Sequence, residues 1–206
     1  LGDPWSFATD CGPVIDQQAF DTISSHIAKA KGEGRVLCEV GTPQTGHFIS
    51  PTLIRVNGIV DLKREIFGPV LHIATFKSTQ LNKVIDDINA TGYGLTFGLH
   101  SRIDDRVQHV TDRIEAGNIY VNRNQIGAVV GSQPFGGEGL SGTCPKAGGP
   151  HYVPRFTTAS GPVDSAPLVL PGPTGESNIM HTAPRGRVLC LGPTPADQQE
   201  QAVLAA

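Results

Sequence analysis

The sequence lacks the features that mark membrane proteins, nucleic-acid-binding proteins and zinc or disulfide scaffolds. No apolar run approaches the roughly 18 residues that a membrane-spanning helix needs. The 16 Lys and Arg are scattered and outnumbered by 19 Asp and Glu, so no nucleic-acid contact is expected from this segment. The cysteines stand far apart without a C-x-x-C pair, so no metal site is expected: Cys11, Cys38, Cys144 and Cys190. These absences favour a reduced, cytoplasmic globular chain.

The sequence also lacks an initiating methionine, because its single Met is Met180. Its first residues, LGDPWSFATD, contain neither a basic nor an apolar leader segment. We therefore expect the chain to be a piece of a longer polypeptide, cut at both ends. The rest of that polypeptide is expected to be in contact with it.

What the chain does have is a glycine-dense segment at residues 118–150, NIYVNRNQIGAVVGSQPFGGEGLSGTCPKAGGP. Glycine at such density costs conformational entropy and is tolerated where the backbone takes φ > 0 or approaches a ligand closely. A flexible linker is the alternative. However, Tyr120 and Phe135 favour burial, and the segment has little of the polar padding that linkers carry. We interpret it as a binding loop.

Strand-like and helix-like stretches alternate along the chain up to this segment. Apolar residues at helical spacing predict helices over residues 16–31, 79–90 (capped by Ser78) and 104–115 (closed by Gly117). Short apolar runs predict strands over residues 35–40, 47–56, 69–76, 95–101 and 118–122, and Pro51 favours an edge or a bulge for the second. The pattern predicts an α/β fold, a parallel sheet with flanking helices. Ligands of such sheets gather at the carboxyl ends of strands, where Asn122 onward would lie.

Two motifs resemble those of a known family. GNIYVNRN, GAVVG and QPFGGEGLSGTCPKAGGP, together with REIFGPV at residues 64–70, resemble the end of an aldehyde dehydrogenase catalytic domain. Within that superfamily, the chain is most similar to the L-glutamate gamma-semialdehyde (1-pyrroline-5-carboxylate) dehydrogenases, including the bifunctional proline utilisation proteins of bacteria. The resemblance covers about residues 1–158. The one visible departure is Cys144, which stands where the family pattern has Gly.

The resemblance implies NAD-dependent oxidation of an aldehyde to an acid, through a cysteine thiolate and a carboxylate base that both lie upstream of Leu1. Glu65 matches the family glutamate that holds the nicotinamide ribose, and Phe67 matches the aromatic residue beside the nicotinamide. Without the motif, Glu65 would be interpreted as a solvated strand end and Phe67 as a core residue. FAD is expected only if a proline dehydrogenase domain precedes this segment.

The resemblance also implies a substrate site for glutamate semialdehyde. Gly127 and Ala128 match the loop whose backbone amides receive the carboxylate of the semialdehyde, and Phe135 matches the ring that lines its aliphatic chain. The alternative for this stretch is a tight turn with one buried aromatic residue.

The rest of the chain is divided by composition and by the same resemblance. Residues 1–149 are expected to be the C-terminal part of the catalytic domain, and residues 150–158 an extended β-arm for oligomerisation or interdomain contact, with Tyr152 and Phe156 on one face. Residues 159–184 are expected to be a linker, and residues 185–206 the start of a further domain, with a strand at 187–191 and a helix capped by Thr194. A homo-oligomer is expected. A non-catalytic dehydrogenase-like domain and an inactive truncated product remain alternatives.

Two further patterns are interpreted as ordinary structure. Residues 137–142 satisfy G-x-G-x-x-G literally, but the dinucleotide fingerprint requires a strand before it and a helix after it, and neither is predicted. The seven histidines are dispersed, and none pairs with a Ser or Cys by sequence, so we expect surface or core histidines.

Overall fold

The computed structural model describes residues 1–143, 145–157, 166–184 and 187–205. Its helices are α1 (Gln17–Gly32), α2 (Leu81–Asn89), α3 (Asp104–Thr111) and α4 (Pro195–Ala205). Its strands are β1 (Val36–Glu39), β2 (Thr52–Arg55), β3 (Val70–Ile73), β4 (Tyr93–Gly94), β5 (Thr96–Leu99), β6 (Asn118–Val121), β7 (Glu138–Gly139), β8 (Leu168–Leu170) and β9 (Asn178–Met180). The predicted α/β fold class is confirmed. Cys144, the residues at 158–165 and those at 185–186 lie outside the described residues.

Helix α1 carries the apolar face that its sequence spacing predicts. The Asp16 carboxylate caps it by accepting a hydrogen bond from the Ala19 N–H at 2.8 Å. Ile23 and Ile27 are buried on this face and pack with Ile49. Because burying such a side chain is worth about 1.5–3 kcal/mol, this cluster fixes α1 against the first sheet.

The first sheet has the order β1-β2-β3, with β1 antiparallel and β3 parallel to the central strand β2. Pro51 was predicted to favour an edge or a bulge for this strand. The edge was wrong, because β2 is the central strand, while a bulge-type register shift lies between Val36 and Cys38 in its pairing with β1. The strand begins at Thr52, so the missing N–H of Pro51 removes no ladder bond, and the Pro51 carbonyl accepts from the Val40 N–H. A buried strand was predicted over residues 69–76. The observed β3 is shorter, since it ends at Ile73, and it is only partly buried, since Leu71 is exposed.

A second layer joins the parallel pair β5 and β6 to α2 and α3. Ile85 of α2 is buried with Val110 and Ile114, and the inner side of the strand pair covers this cluster. The predicted parallel pairing of strands around a helix is therefore confirmed. The predicted start of α2 was wrong, because a 3-10 turn at Ser78–Gln80 precedes it and Gln80 Oε1 accepts from the Lys77 N–H at 3.2 Å.

Gly117 has a different role from the helix-ending one predicted for it. α3 ends at Thr111, and the Gly117 N–H donates to the Gly94 carbonyl at 3.0 Å. A Cβ at position 117 would lie 1.8 Å from the Gly136 carbonyl oxygen. Glycine is therefore required here because two backbones approach each other closely, not because a helix stops.

The C-terminal part differs most from the sequence expectations. Val153–Phe156 form a 3-10 turn, with the Tyr152 and Phe156 rings 5.7 Å apart, so the extended conformation expected for the arm was wrong for the described residues up to 157. β8 and β9 form an antiparallel hairpin that was not predicted, and no strand forms at residues 187–191. The α4 cap is confirmed, since the Thr194 Oγ1 accepts from the Asp197 N–H at 3.3 Å.

Candidate functional site

The carboxyl ends of β5 and β6 are tied together by one asparagine. Asn122 follows β6 at φ 56, a left-handed conformation that asparagine tolerates. Its Oδ1 accepts from the Ser101 N–H and its Nδ2 donates to the Ser101 carbonyl, both at 2.9 Å. Asn122 therefore ends β6 at the sheet edge where the sequence predicted the candidate loop to begin.

The loop that follows, residues 124–132, has a hydrogen-bonded conformation. The Val129 carbonyl accepts from the N–H groups of Ser132 (3.2 Å) and Gln133 (2.7 Å), and the Gly131 N–H donates to the Gly148 carbonyl at 2.9 Å. Gly127 has φ 70, and a Cβ there would meet nothing within 4 Å, so the backbone angle and not crowding favours glycine. These bonds argue against the flexible-linker alternative. Because the resemblance predicts that this segment receives the carboxylate of the substrate, we call residues 124–132 the carboxylate loop.

Phe135 lies just after the carboxylate loop and is fixed through its backbone. Its N–H and carbonyl bond to Ala147 at 2.9 and 2.8 Å, and its ring is 38% exposed. The buried Asn118 side chain donates to the Pro134 carbonyl at 2.9 Å and accepts from the Gly136 N–H at 3.1 Å. Asn118 thus holds the backbone on both sides of Phe135. This role of Asn118 was not predicted from the sequence, because an amide at the start of a strand is only a weak signal.

Glu176, also missed, reaches this region from the turn between β8 and β9. Its Oε2 lies 3.1 Å from Arg123 Nη1, and its Oε1 accepts from Gln133 Nε2 at 2.8 Å. Asn178 Nδ2 donates to the same Oε1 at 3.0 Å. Hydrogen bonds from Asn178 and Gln133, with the Arg123 charge, lower the pKa of Glu176 below its usual value. The carboxylate is therefore held in its ionised form beside the carboxylate loop.

Glu65 and Phe67 lie in the segment between a 3-10 turn (Ile59–Asp61) and β3. Between them, Ile66 packs on the core cluster of α1, and a Cβ at Gly68 would lie 2.5 Å from Ile23 Cδ1. This anchor leaves the Glu65 side chain exposed and the Phe67 ring 84% exposed. The alternative that Phe67 is a core residue was therefore wrong.

The structure does not join the two candidate sites directly. Among the described residues, no hydrogen bond or ion pair connects the segment of Glu65 and Phe67 to the carboxylate loop. Each is fixed by its own strand, β3 for the first and β6 for the second. Each site therefore has to be tested by its own variant.

Two histidines that are far apart in the sequence meet beside the Glu65 segment. His26 Nε2 and His72 Nε2 are 2.8 Å apart, at a cavity of about 690 Å³ between α1 and residues 56–66. Partial burial lowers the pKa of His26, as do the charges of Arg35, Arg64 and Lys29, while Glu33 acts in the opposite sense. Burial, His26 and Arg35 lower the pKa of His72. One ring donates and the other accepts, so the accepting ring is neutral, and the lowered pKa values favour the neutral form of the donating ring as well.

We expect acid to destabilise the fold through this pair. Because the folded-state pKa values are depressed, the unfolded chain binds more protons as the pH falls below about 6.5. The contribution of the neutral pair to the stability of the fold is complete above about pH 6.5 and is lost as the pH falls toward the folded pKa values. His72→Gln should therefore reduce the drop in thermal midpoint between about pH 7 and pH 5.5. The exposed His100→Gln is the control, and an undiminished drop in His72→Gln would contradict the assignment.

Three other features of the described residues limit the chemistry. No group of three His, Cys, Asp or Glu side chains within them is placed to hold a metal ion. Glu138–Gly139 of the G-x-G-x-x-G stretch pairs with β4, and no α-helix follows it in residues 140–143 or 145–157, so the dinucleotide context is missing there. None of the helices in the described ranges has the length and apolarity needed to cross a membrane.

Comparisons with known proteins agree with this geometry. The model of the aldehyde dehydrogenase family matches residues 1–160. The bifunctional protein PutA of Rhizobium meliloti is 42% identical over 98% of this chain and 20% of its own length. A crystal structure of a proline utilization A mutant from Bradyrhizobium japonicum has a TM-score of 0.69 at 51% identity, covering 72% of this chain and 15% of that one.

A further solved structure is 1-pyrroline-5-carboxylate dehydrogenase from Thermus with bound NAD. It has a TM-score of 0.63 at 35% identity, covering 70% of this chain and 28% of that one. The chain thus spans about a fifth of the length of its PutA relatives. Because the family model covers most of the sequence, this chain belongs to the aldehyde dehydrogenase family.

Proposed function

We propose that this chain supplies part of the active site of a longer NAD-dependent dehydrogenase that oxidises L-glutamate gamma-semialdehyde to L-glutamate in proline degradation. The observation that carries the proposal is the ordered carboxylate loop at the end of β6, with Gly127 at φ 70 beside the small Ala128. Successive backbone N–H groups of such a loop form an anion-binding nest. The similarity to proteins named PutA and 1-pyrroline-5-carboxylate dehydrogenase supports the same substrate.

On the substrate side, the amides of Gly127 and Ala128 hold the far carboxylate of the semialdehyde. Ala128 is half-buried, and its side chain is a single methyl group. The Phe135 ring, fixed by its paired backbone bonds to Ala147, covers the methylenes and excludes water. The loop thereby sets the distance between the anion and the reacting carbonyl.

On the cofactor side, Glu65 and Phe67 fit a nicotinamide nucleoside. The Glu65 carboxylate is an acceptor-only group that can bind both vicinal ribose hydroxyls, and the exposed Phe67 ring offers a face to the nicotinamide. Bound NAD would accept the hydride from the substrate carbon, while a cysteine and a carboxylate base from outside this chain would form and hydrolyse the thioester. The role of residues 1–206 is to position both partners of the reaction.

The remaining parts of the proposal concern the longer polypeptide. Residues 1–149 are its catalytic-domain segment, and residues 150–158 contact another subunit or domain. Residues 159–184 are the connection to a further domain that begins at residues 185–206, and this connection includes the hairpin of β8 and β9. The exposed Val153 (71%) and Phe156 (79%) support a contact for the second of these segments. We further propose a cytoplasmic homo-oligomer that uses FAD only if a proline dehydrogenase domain precedes residue 1.

The complete polypeptide should reduce NAD when it is given glutamate semialdehyde, and residues 1–206 expressed alone should not. The reason is that the nucleophilic thiol is contributed from outside this chain. The measurement is the absorbance of NADH at equal molar concentrations of the two proteins. Turnover by the isolated chain would contradict the proposed division of roles, and a silent complete polypeptide would favour a non-catalytic domain.

A further inference from the structure

The carboxylate loop is closed at its base by one carboxylate from outside it. Arg123 immediately precedes the loop and Gln133 immediately follows it. The two oxygens of Glu176 bind these two residues, Oε2 at 3.1 Å from Arg123 Nη1 and Oε1 at 2.8 Å from Gln133 Nε2. Glu176 therefore joins the two ends of the loop without belonging to it.

Glu176 is itself held in place by the hairpin of β8 and β9. Its N–H donates to the Pro173 carbonyl at 3.1 Å, which closes the turn. Asn178 Nδ2 donates both to Glu176 Oε1 at 3.0 Å and to the Pro171 carbonyl at 3.2 Å. The carboxylate is thus pre-oriented by its own hairpin, and it is partly shielded, with 26% of its side chain exposed.

The two partners of Glu176 transmit its position to the loop and to the sheet. Gln133 is 7% exposed, and its own N–H donates to the Val129 carbonyl in the middle of the loop at 2.7 Å. Because a carboxylate only accepts hydrogen bonds, it fixes the Gln133 amide with its NH₂ group toward Glu176. On the other side, the guanidinium of Arg123 lies 5.2 Å from the ring centroid of Tyr120 in β6. Arg123, Glu176 and Gln133, which we call the clamp, therefore connect the sheet to the carboxylate loop.

We propose that Glu176 is a positioning residue that sets the selectivity of the dehydrogenase for an aldehyde carrying a distal carboxylate. This inference rests on the proposed function, because it assigns to Glu176 the placement of the Gly127 and Ala128 amides. Without the Glu176 contacts the protein still folds, but the N–H groups of Gly127 and Ala128 lose their fixed distance from the reacting carbonyl. Binding of the substrate carboxylate weakens, while the chemical step, which uses residues elsewhere, does not change.

The test is Glu176→Gln in the complete polypeptide. The neutral amide keeps the shape but loses the ion pair with Arg123, and its NH₂ group cannot accept from Gln133 and Asn178, so the ends of the loop are held less firmly. We expect KM for glutamate semialdehyde to rise about tenfold. The effect is no larger because solvent screens a partly exposed ion pair. The kcat should stay within about twofold of the unaltered enzyme. The kcat/KM for pentanal, which has no carboxylate, should not change. Hydrogen exchange of the amides of residues 125–132 should become faster.

Two further variants make the result specific. Glu138→Gln alters an exposed glutamate in β7 and should leave KM, exchange and thermal midpoint as they are. Arg123→Met should also raise KM for glutamate semialdehyde. In the double variant with Glu176→Gln, KM should be no higher than in the more severe single variant, because both changes open the same clamp.

A Glu176→Gln protein with a lowered thermal midpoint but unchanged KM and unchanged loop exchange would overturn the inference, leaving Glu176 as a residue that only docks the hairpin. Failure of the proposed function looks different. In that case the unaltered enzyme itself shows no preference for the semialdehyde over pentanal, while the exchange experiment still reports whether Glu176 closes the loop.

Discussion

The complete enzyme should oxidise glutamate semialdehyde with a kcat/KM about two orders of magnitude or more above that for pentanal. The two aldehydes have the same chain length, and pentanal lacks the distal carboxylate together with the amino group beside it. Pentanal would leave the amides of Gly127 and Ala128 desolvated and unpaired, which costs roughly 1 to 3 kcal/mol for each group. The carboxylate loop has a fixed conformation, with the Val129 carbonyl as an acceptor inside it and the Gly148 carbonyl as an acceptor outside it, so we expect those amides to find no other partner.

Ala128→Leu should erase most of this preference. Leucine at position 128 places its side chain across the approach to the amides, so the substrate carboxylate is excluded while pentanal is not. Val130→Leu is the matched control, because Val130 is 83% exposed in the same loop and the change adds a single methylene. The measurement is kcat/KM for both aldehydes with all three proteins. Similar rates on the two aldehydes, or selectivity that survives in Ala128→Leu, would show that the carboxylate is recognised elsewhere.

Local sequence signals were sufficient for the elements that carry the two sites. The helical spacing of Ile23 and Ile27 and the strand at Asn118–Val121 were predicted because each pattern is complete within a few turns or residues. The errors were also local in origin. Pro51 and Gly117 were assigned by residue type, whereas their roles depend on where a neighbouring backbone lies, the strand start for one and the Gly136 carbonyl for the other.

The interactions that the sequence did not predict are those between residues far apart along the chain. His26 and His72 are separated by 46 positions, and Glu176 binds Gln133 and Arg123 across 43 and 53 positions. No periodicity or spacing encodes such pairs, because they exist only after the elements have packed. The hairpin of β8 and β9 was missed for a related reason, since Pro and Gly before and inside it are typical of connections.

The Glu65→Gln enzyme should lose about tenfold or more in kcat, which corresponds to the loss of a charged hydrogen bond of roughly 1.5 to 3 kcal/mol. Glu65 has a place suited to this role, because Ile66 is anchored in the core while the neighbouring carboxylate remains open to solvent. A neutral amide holds the ribose hydroxyls less firmly, so the nicotinamide samples positions that are unproductive for hydride transfer. The affinity for the semialdehyde, which depends on the separate carboxylate loop, should change much less.

The measurement that separates these effects is the primary deuterium isotope effect on kcat with the aldehyde hydrogen replaced by deuterium. In Glu65→Gln the isotope effect should increase, because hydride transfer becomes the slow step. Glu115→Gln, which alters an exposed glutamate in the segment before β6, is the control and should match the unaltered enzyme in kcat, KM and isotope effect. If Glu65→Gln retains its kcat, its isotope effect and its affinity for NAD, then Glu65 does not hold the ribose and is a solvated residue beside β3.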